Sequence, residues 1–223
     1  MTRLLHLCAL LLALGALPAR AVTIDWGSSV GDVLLSSNGV PLDDSYIFEL
    51  GSFGGFTPTG QNQGEWMAHW KPFDRAQAPA ASGWNSAFSY FSSSVTMLDG
   101  GLSSASPPLP PYTFLAGEQA YIFVYNSLAF DGLSEWALVT NGSLDGNAAN
   151  DWLMPAAGGK TDIPLEWRLS TASTVIHGGV NSVQGYGSYT FEPGTFDLQT
   201  HTVPEPSGVL LLAAATLRRR RRR

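Results

Sequence analysis

The chain has 223 residues, enough for one good hydrophobic core and short for two, and its 18 acidic and 12 basic side chains give a formal charge of −6. Eight of the basic residues lie in the two ends, so the body from Val22 to Thr202 sets only Lys71, Arg75, Lys160 and Arg168 against 17 carboxylates, a net of −13. A surface of that sign repels phosphate backbones and excludes nucleic acid as a partner.

The first segment, MTRLLHLCALLLALGALPARA, carries Arg3, an apolar run from Leu4 to Leu17, and then Ala19-Arg20-Ala21. A basic start, an apolar middle and a small-x-small site predict a signal peptide over 1–21, a signal helix cut by signal peptidase between Ala21 and Val22. The run is too short to span a membrane comfortably. Cys8, the single cysteine, lies inside this segment. The mature chain is therefore expected to use neither disulfides nor thiolate chemistry.

The body, 22–202, is rich in glycine and aromatic residues and poor in lysine and glutamate, a profile suited to an extracellular β-rich domain. Runs of β-branched and aromatic residues predict strands over Tyr46–Phe53, Ala87–Leu98, Gln119–Asn126, Ser134–Thr140, Pro164–Ser170 and Tyr186–Glu192. In PLEWRLS the period of two is clean, with Leu165, Trp167 and Leu169 on one side and Glu166, Arg168 and Ser170 on the other. Between these runs stand turn signals such as DGG, NGS, DGN and AGGK. One stretch departs from the pattern. In NQGEWMAHWKPFDRA, Trp66, Trp70 and Phe73 recur at helical spacing, Asn62 and Glu65 resemble a capping box, and Pro72 should end the helix. Ser103–Tyr112, SSASPPLPPY, reads as an exposed polyproline-like loop. The fold expected is all-β: a β-sandwich or jelly-roll-like single domain with one short helix, flanked by the signal helix and a short C-terminal apolar helix.

Signals for chemistry are sparse. Glu65 and His69, four apart, make half a metal site at most, while His177 and His201 stand far apart in sequence and no HExxH pattern is present. NGSLDGNAAND concentrates oxygen ligands, with Asp145, Asn147 and Asp151 as candidates for a calcium ion. The same residue types crowd ordinary turns, the more economical reading. Trp66, Trp70, Trp136 and Trp167 sit in patterned segments as core residues. Trp26, Trp84 and Trp152 lie in less regular contexts and are the better candidates for stacking on sugar rings, although core burial is the more economical use for these three as well. Asp43-Asp44 reads as a turn rather than a catalytic dyad, and no GxSxG elbow exists. The expectation is a non-enzyme without a cofactor, calcium being the one option.

The chain ends TVPEPSGVLLLAAATLRRRRRR. Its blocks are Val203-Pro204-Glu205-Pro206-Ser207, an apolar stretch from Gly208 to Leu217, and Arg218, Arg219, Arg220, Arg221, Arg222 and Arg223. Across 203–223 this order resembles the bacterial PEP-CTERM sorting signal. Prolines keep the motif extended, the apolar block dips into the bilayer, and the arginines stay cytoplasmic. Ten apolar residues are about half of a full span, and the shortened form is similar to variants common among verrucomicrobial proteins. The resemblance implies recognition by an exosortase, a precursor tethered to the inner membrane only transiently by its tail, and release to the cell surface or outer envelope. The body also resembles an uncharacterised domain frequent in such proteins.

PEP-CTERM proteins are associated with exopolysaccharide and biofilm formation. The function the resemblance implies is thus a secreted, surface-sorted structural or adhesive component of an exopolysaccharide matrix. The alternatives are a lectin-like carbohydrate-binding module and, after it, a polysaccharide hydrolase.

Overall fold

Strand β7 (Ala120–Tyr125) is buried on both faces, and the rest of the chain is arranged around that fact. The computed structural model describes residues 21–142, 151–159 and 163–205. The predicted signal segment through Ala19 and Arg20, the calcium candidates Asp145 and Asn147, and the tail from Pro206 and Ser207 to Arg218–Arg223 lie outside the described residues.

Because side chains alternate along a strand, Ile122 and Val124 of β7 face one way and Tyr121, Phe123 and Tyr125 the other. Antiparallel neighbours extend the sheet on both sides: β3 (Ile47–Ser52) and then β4 (Lys71–Ala76) on one, β8 (Glu135–Thr140) and then β10 (Thr174–His177) on the other. The short β14 (His201–Thr202) pairs with the start of β8, where β10 leaves off.

A second sheet has the order β5 (Trp84–Asn85), β6 (Tyr90–Met97), β1 (Val22–Gly27) and β9 (Leu165–Arg168). Here β1 and β9 run parallel, with Trp26 opposite Trp167. A small third sheet joins β12 (Val183–Gln184), β11 (Gly179–Val180), β13 (Leu198–Gln199) and β2 (Leu34–Leu35).

One core takes Phe48, Leu50, Ile122 and Val124 from the larger sheet and Ile24, Trp26, Phe91 and Trp167 from the second. The outer face of the larger sheet carries Phe123, Tyr125, Trp136 and Leu138, which are covered by Phe53, Trp66, Trp70 and Val203. Trp66 stacks on Trp136 at 5.8 Å and Trp70 meets Phe123 edge-on at 5.4 Å. Such aromatic pairs each add about 1 kcal/mol beyond their area.

The cover is the predicted helix, in shorter form. A 3-10 turn, Gln63–Glu65, leads into α1 (Trp66–His69), and the chain is already extended at Trp70. Asn62 does not cap the helix N–H groups. Its Oδ1 instead accepts from Thr59 N at 2.8 Å and from Trp66 Nε1 at 2.9 Å. Pro72 lies in β4, where an irregularity leaves Phe73 unpaired between Leu50 and Gly51 of β3. The helical face therefore stops at Trp70: Trp66 and Trp70 cover the outer face, and Phe73 enters the inner core against Phe114. The helix ends before the proline, as expected, but the chain turns extended already at Trp70, one residue ahead of Lys71, the residue that Pro72 itself restricts.

The strands expected around β3, β7 and β8 are present, and β9 keeps its alternation, with Trp167 buried and Glu166 exposed. Strand β6 starts later than expected because Ser86–Phe88 form a 3-10 turn. Tyr186–Glu192 is not a strand, and only Tyr186 and Ser188 make isolated bridges, to His177 and Thr202. Ser103–Tyr112 is a largely exposed loop without strand, apart from a bridge at Ser103. The all-β class stands.

Candidate functional site

Among the described residues a groove of about 550 Å³ opens at the C-terminal end of α1, within the roughly 300–1,000 Å³ range of small-ligand sites. Three segments far apart in sequence build it. The loop after β3 brings Phe53 and Phe56, α1 and the start of β4 bring Met67, His69, Trp70 and Lys71, and the proline-rich loop brings Tyr112. Phe56 and the exposed His69 stack in parallel, 4.2 Å apart and 6° from coplanar. The back of the groove is fixed from within. Glu49, almost fully buried, accepts from Trp70 Nε1 at 2.6 Å and from Arg75 Nε and Nη2 at 2.8 and 2.6 Å. Trp70 can close over β3 only because position 51 is glycine. A Cβ there would lie 2.4 Å from Lys71 O and 2.7 Å from the Trp70 ring.

The rim is polar. Among the described residues, the Lys71 ammonium, the Tyr112 hydroxyl and the His69 ring have no hydrogen bond or ion pair. Lys71 Nζ lies beside Gly54, where a Cβ would be 3.0 Å from it and 4.0 Å from Glu118 Oε1. The other Glu118 oxygen, Oε2, is buried without a hydrogen-bond partner.

No family model matches this chain, and no curated protein or solved structure matches it either.

The three tryptophans named as candidates for sugar stacking are instead used by the core, the more economical of the two readings. Trp26, Trp84 and Trp152 are all at most 1% exposed, so none offers a face to a ligand. Burial leaves each indole ring with a neighbour. Trp26 Nε1 donates to Asp74 Oδ2 at 2.7 Å, Trp84 Nε1 donates to Asp43 O at 2.9 Å, and Trp152 stacks on Trp167. Trp26 is next to last in β1, Trp84 begins β5 and Trp152 lies outside the strands, so their irregular contexts reflect position in the fold, not exposure. Asp43 and Asp44 form the expected turn, with Asp43 Oδ1 accepting from Ser45 N at 2.9 Å. Glu65 and His69 are both exposed, and among the described residues no three His, Cys, Asp or Glu side chains gather as a metal would require. Of the calcium candidates only Asp151 is described, with its Oδ1 buried and unpartnered beside Trp152.

His177 and His201, 24 residues apart, are brought together with ring centroids 6.0 Å apart, and both are fully buried. His177 Nδ1 accepts from the Gln63 amide, and its Nε2–H donates to His201 O at 3.2 Å. Burial pushes His177 down to about 4 and lowers His201 as well. Nearby Glu135 is raised by burial, but hydrogen bonds from Thr200, Ser37 and Tyr46 outweigh this and hold it below the usual range.

At the ends of the described chain, Val22 is buried as the first residue of β1, opposite Met97, and Ala21 is half-buried. Val203, the head of the expected sorting motif, belongs to the outer-face cluster, and its N–H donates to Ser134 O at 2.9 Å. Pro204 is half-buried, and Glu205 is exposed against Gly132 of the β7–β8 loop. The chain thus leaves the fold at the Tyr125 end of β7, and the groove lies at the Ala120 end, roughly 20 Å away by strand rise. Among the described residues no helix is long and apolar enough to cross a membrane.

Proposed function

We propose that this is a non-enzymatic protein, secreted through its signal segment, sorted to the cell surface by an exosortase acting on its PEP-CTERM-like tail, and retained there as a structural or adhesive component of an exopolysaccharide matrix. The observation that carries the reading is where the motif begins. Val203 is locked into the fold, and Pro204-Glu205 emerge directly from it, so the processing enzyme meets an extended peptide held against a rigid domain. The sandwich architecture belongs to the same reading, because one core is shared between the β7 sheet and the β1 sheet. The test is the intact mass and C-terminal sequence of the protein from its native producer. A chain ending at or near Pro204-Glu205-Pro206 is expected; retention of Arg218–Arg223 in the surface protein would sink the sorting role.

The groove favours a second, compatible reading: the domain binds carbohydrate through Phe56, Met67 and Tyr112 rather than through the buried tryptophans. Pull-down of the full chain by the producer's own polysaccharide, lost on Phe56→Ala without a change in melting temperature, is the expected result.

A further inference from the structure

We infer that the groove selects a carboxylated sugar, with the sugar carboxylate on Lys71 Nζ and the apolar face of its ring on Phe56 and Met67. This rests on the carbohydrate-binding reading and adds the substrate class to it. The first ground is the state of the cation. The body holds four basic side chains against 17 carboxylates, so an unpaired ammonium is unexpected. Arg75 is bound by Glu49 at 2.6 Å and Arg168 lies 3.9 Å from Glu166, yet Lys71 makes no ion pair among the described residues, although Glu118 stands close by.

The second ground is the mixture of surfaces. A pyranose uronate has one apolar C–H face, a fringe of hydroxyls and one anionic group. The groove has an apolar floor, the Tyr112 hydroxyl and the edge of the His69 ring on its rim, and in Lys71 a cation with no ion pair among the described residues. The net charge of the body opposes any anion at long range. At physiological salt the Debye length is about 8 Å, so remote carboxylates are largely screened while a direct ammonium–carboxylate contact is not. Such charge-assisted bonds are about twice as strong as neutral ones.

The experiment is calorimetric titration of the full chain, at physiological salt, with galacturonate, glucuronate and mannuronate oligomers and with the methyl ester of each. The expected result is that at least one acid form binds, with its ester and the Lys71→Met variant each about tenfold weaker, and that Phe56→Ala abolishes binding of both forms. Equal binding of acid and ester, or no effect of Lys71→Met in a variant that melts like the wild type, overturns the selectivity and leaves carbohydrate binding standing. Binding of neutral oligosaccharides alone does the same. Failure of every acid, ester and neutral oligomer to bind the folded chain overturns both.

Discussion

Acidification should loosen this fold through His177 in a way that can be isolated from its many carboxylates. The ring is fully buried, edge-on to Trp66 at 6.2 Å, with Nδ1 accepting from Gln63 and Nε2–H donating to the His201 carbonyl. That pattern satisfies the neutral imidazole. A second proton would sit on Nδ1, facing an amide donor in a fully buried site. Burial therefore lowers His177 from 6.5 to about 4. A depressed value means the folded state disfavours the proton, so the stabilisation is fully present above pH 6.5 and is lost as the pH falls towards 4. The drop corresponds to about 3 kcal/mol, a large share of the roughly 5–15 kcal/mol that holds a typical domain. Glu135 and Asp43, both held below the usual carboxylate range, also lose stabilisation on acidification, so the assay must be a difference. Urea unfolding of the wild type and of His177→Gln, each at pH 7.5 and pH 4, supplies it. The variant starts less stable, but the wild type should lose about 3 kcal/mol more between the two pH values. Equal losses, or a folded-state imidazole resonance that titrates near 6.5, would refute the argument.

Other substitutions probe the groove and the core. Gly51→Ala should drive Trp70 off the sheet, at a cost of about 1–3 kcal/mol read from thermal melting, and should weaken sugar binding at the same time. Glu49→Ala leaves the Trp70 indole and the Arg75 guanidinium without their shared acceptor. Arg75 still reaches solvent, so about 3 kcal/mol is expected in chemical denaturation, the low end for breaking a buried pair. Asp74 is raised by burial, so its carboxylate costs stability as the pH rises through the elevated value. Asp74→Asn keeps an acceptor for Trp26 Nε1 and should match or exceed the wild type at pH 7, the gap closing at low pH where Asp74 is protonated.

Much of the sheet could be read from the chain because its central strands are continuous apolar runs. AYIFVY and EWALVT lack alternation for a physical reason: both faces of β7 and β8 are covered. The sequence shows the run but not what covers it, and only the fold places Trp66 and Trp70 there. Strand β4 was hidden because the periodicity of WMAHWKPF continues past the point where proline ends the helix. Tyr186–Glu192 has strand composition but finds only isolated bridges, so propensity without a partner built nothing. The groove was not legible at all. Phe56, Lys71 and Tyr112 come from three segments with no shared spacing, and tryptophan content pointed instead to rings that the core consumes. The histidine pair was missed for the same reason, since β10 and β14 meet only by lying along one side of β8.

The way the chain leaves the fold also decides how it bears tension. If the sorted protein is held at its processed C-terminus while the groove carries a polymer, as proposed above, the load comes from opposite ends of the larger sheet. The pull enters through β14, which is bonded to β8 on one side and to Ser188 on the other, with Val203 fastened to Ser134 just beyond. Those bonds lie across the strand direction, so a force along the tail shears them together rather than unzipping them one at a time. From β14 the load passes through β8 and β7 into β3, whose far end carries the groove. The shortest strand of the larger sheet is thus its mechanical fastener.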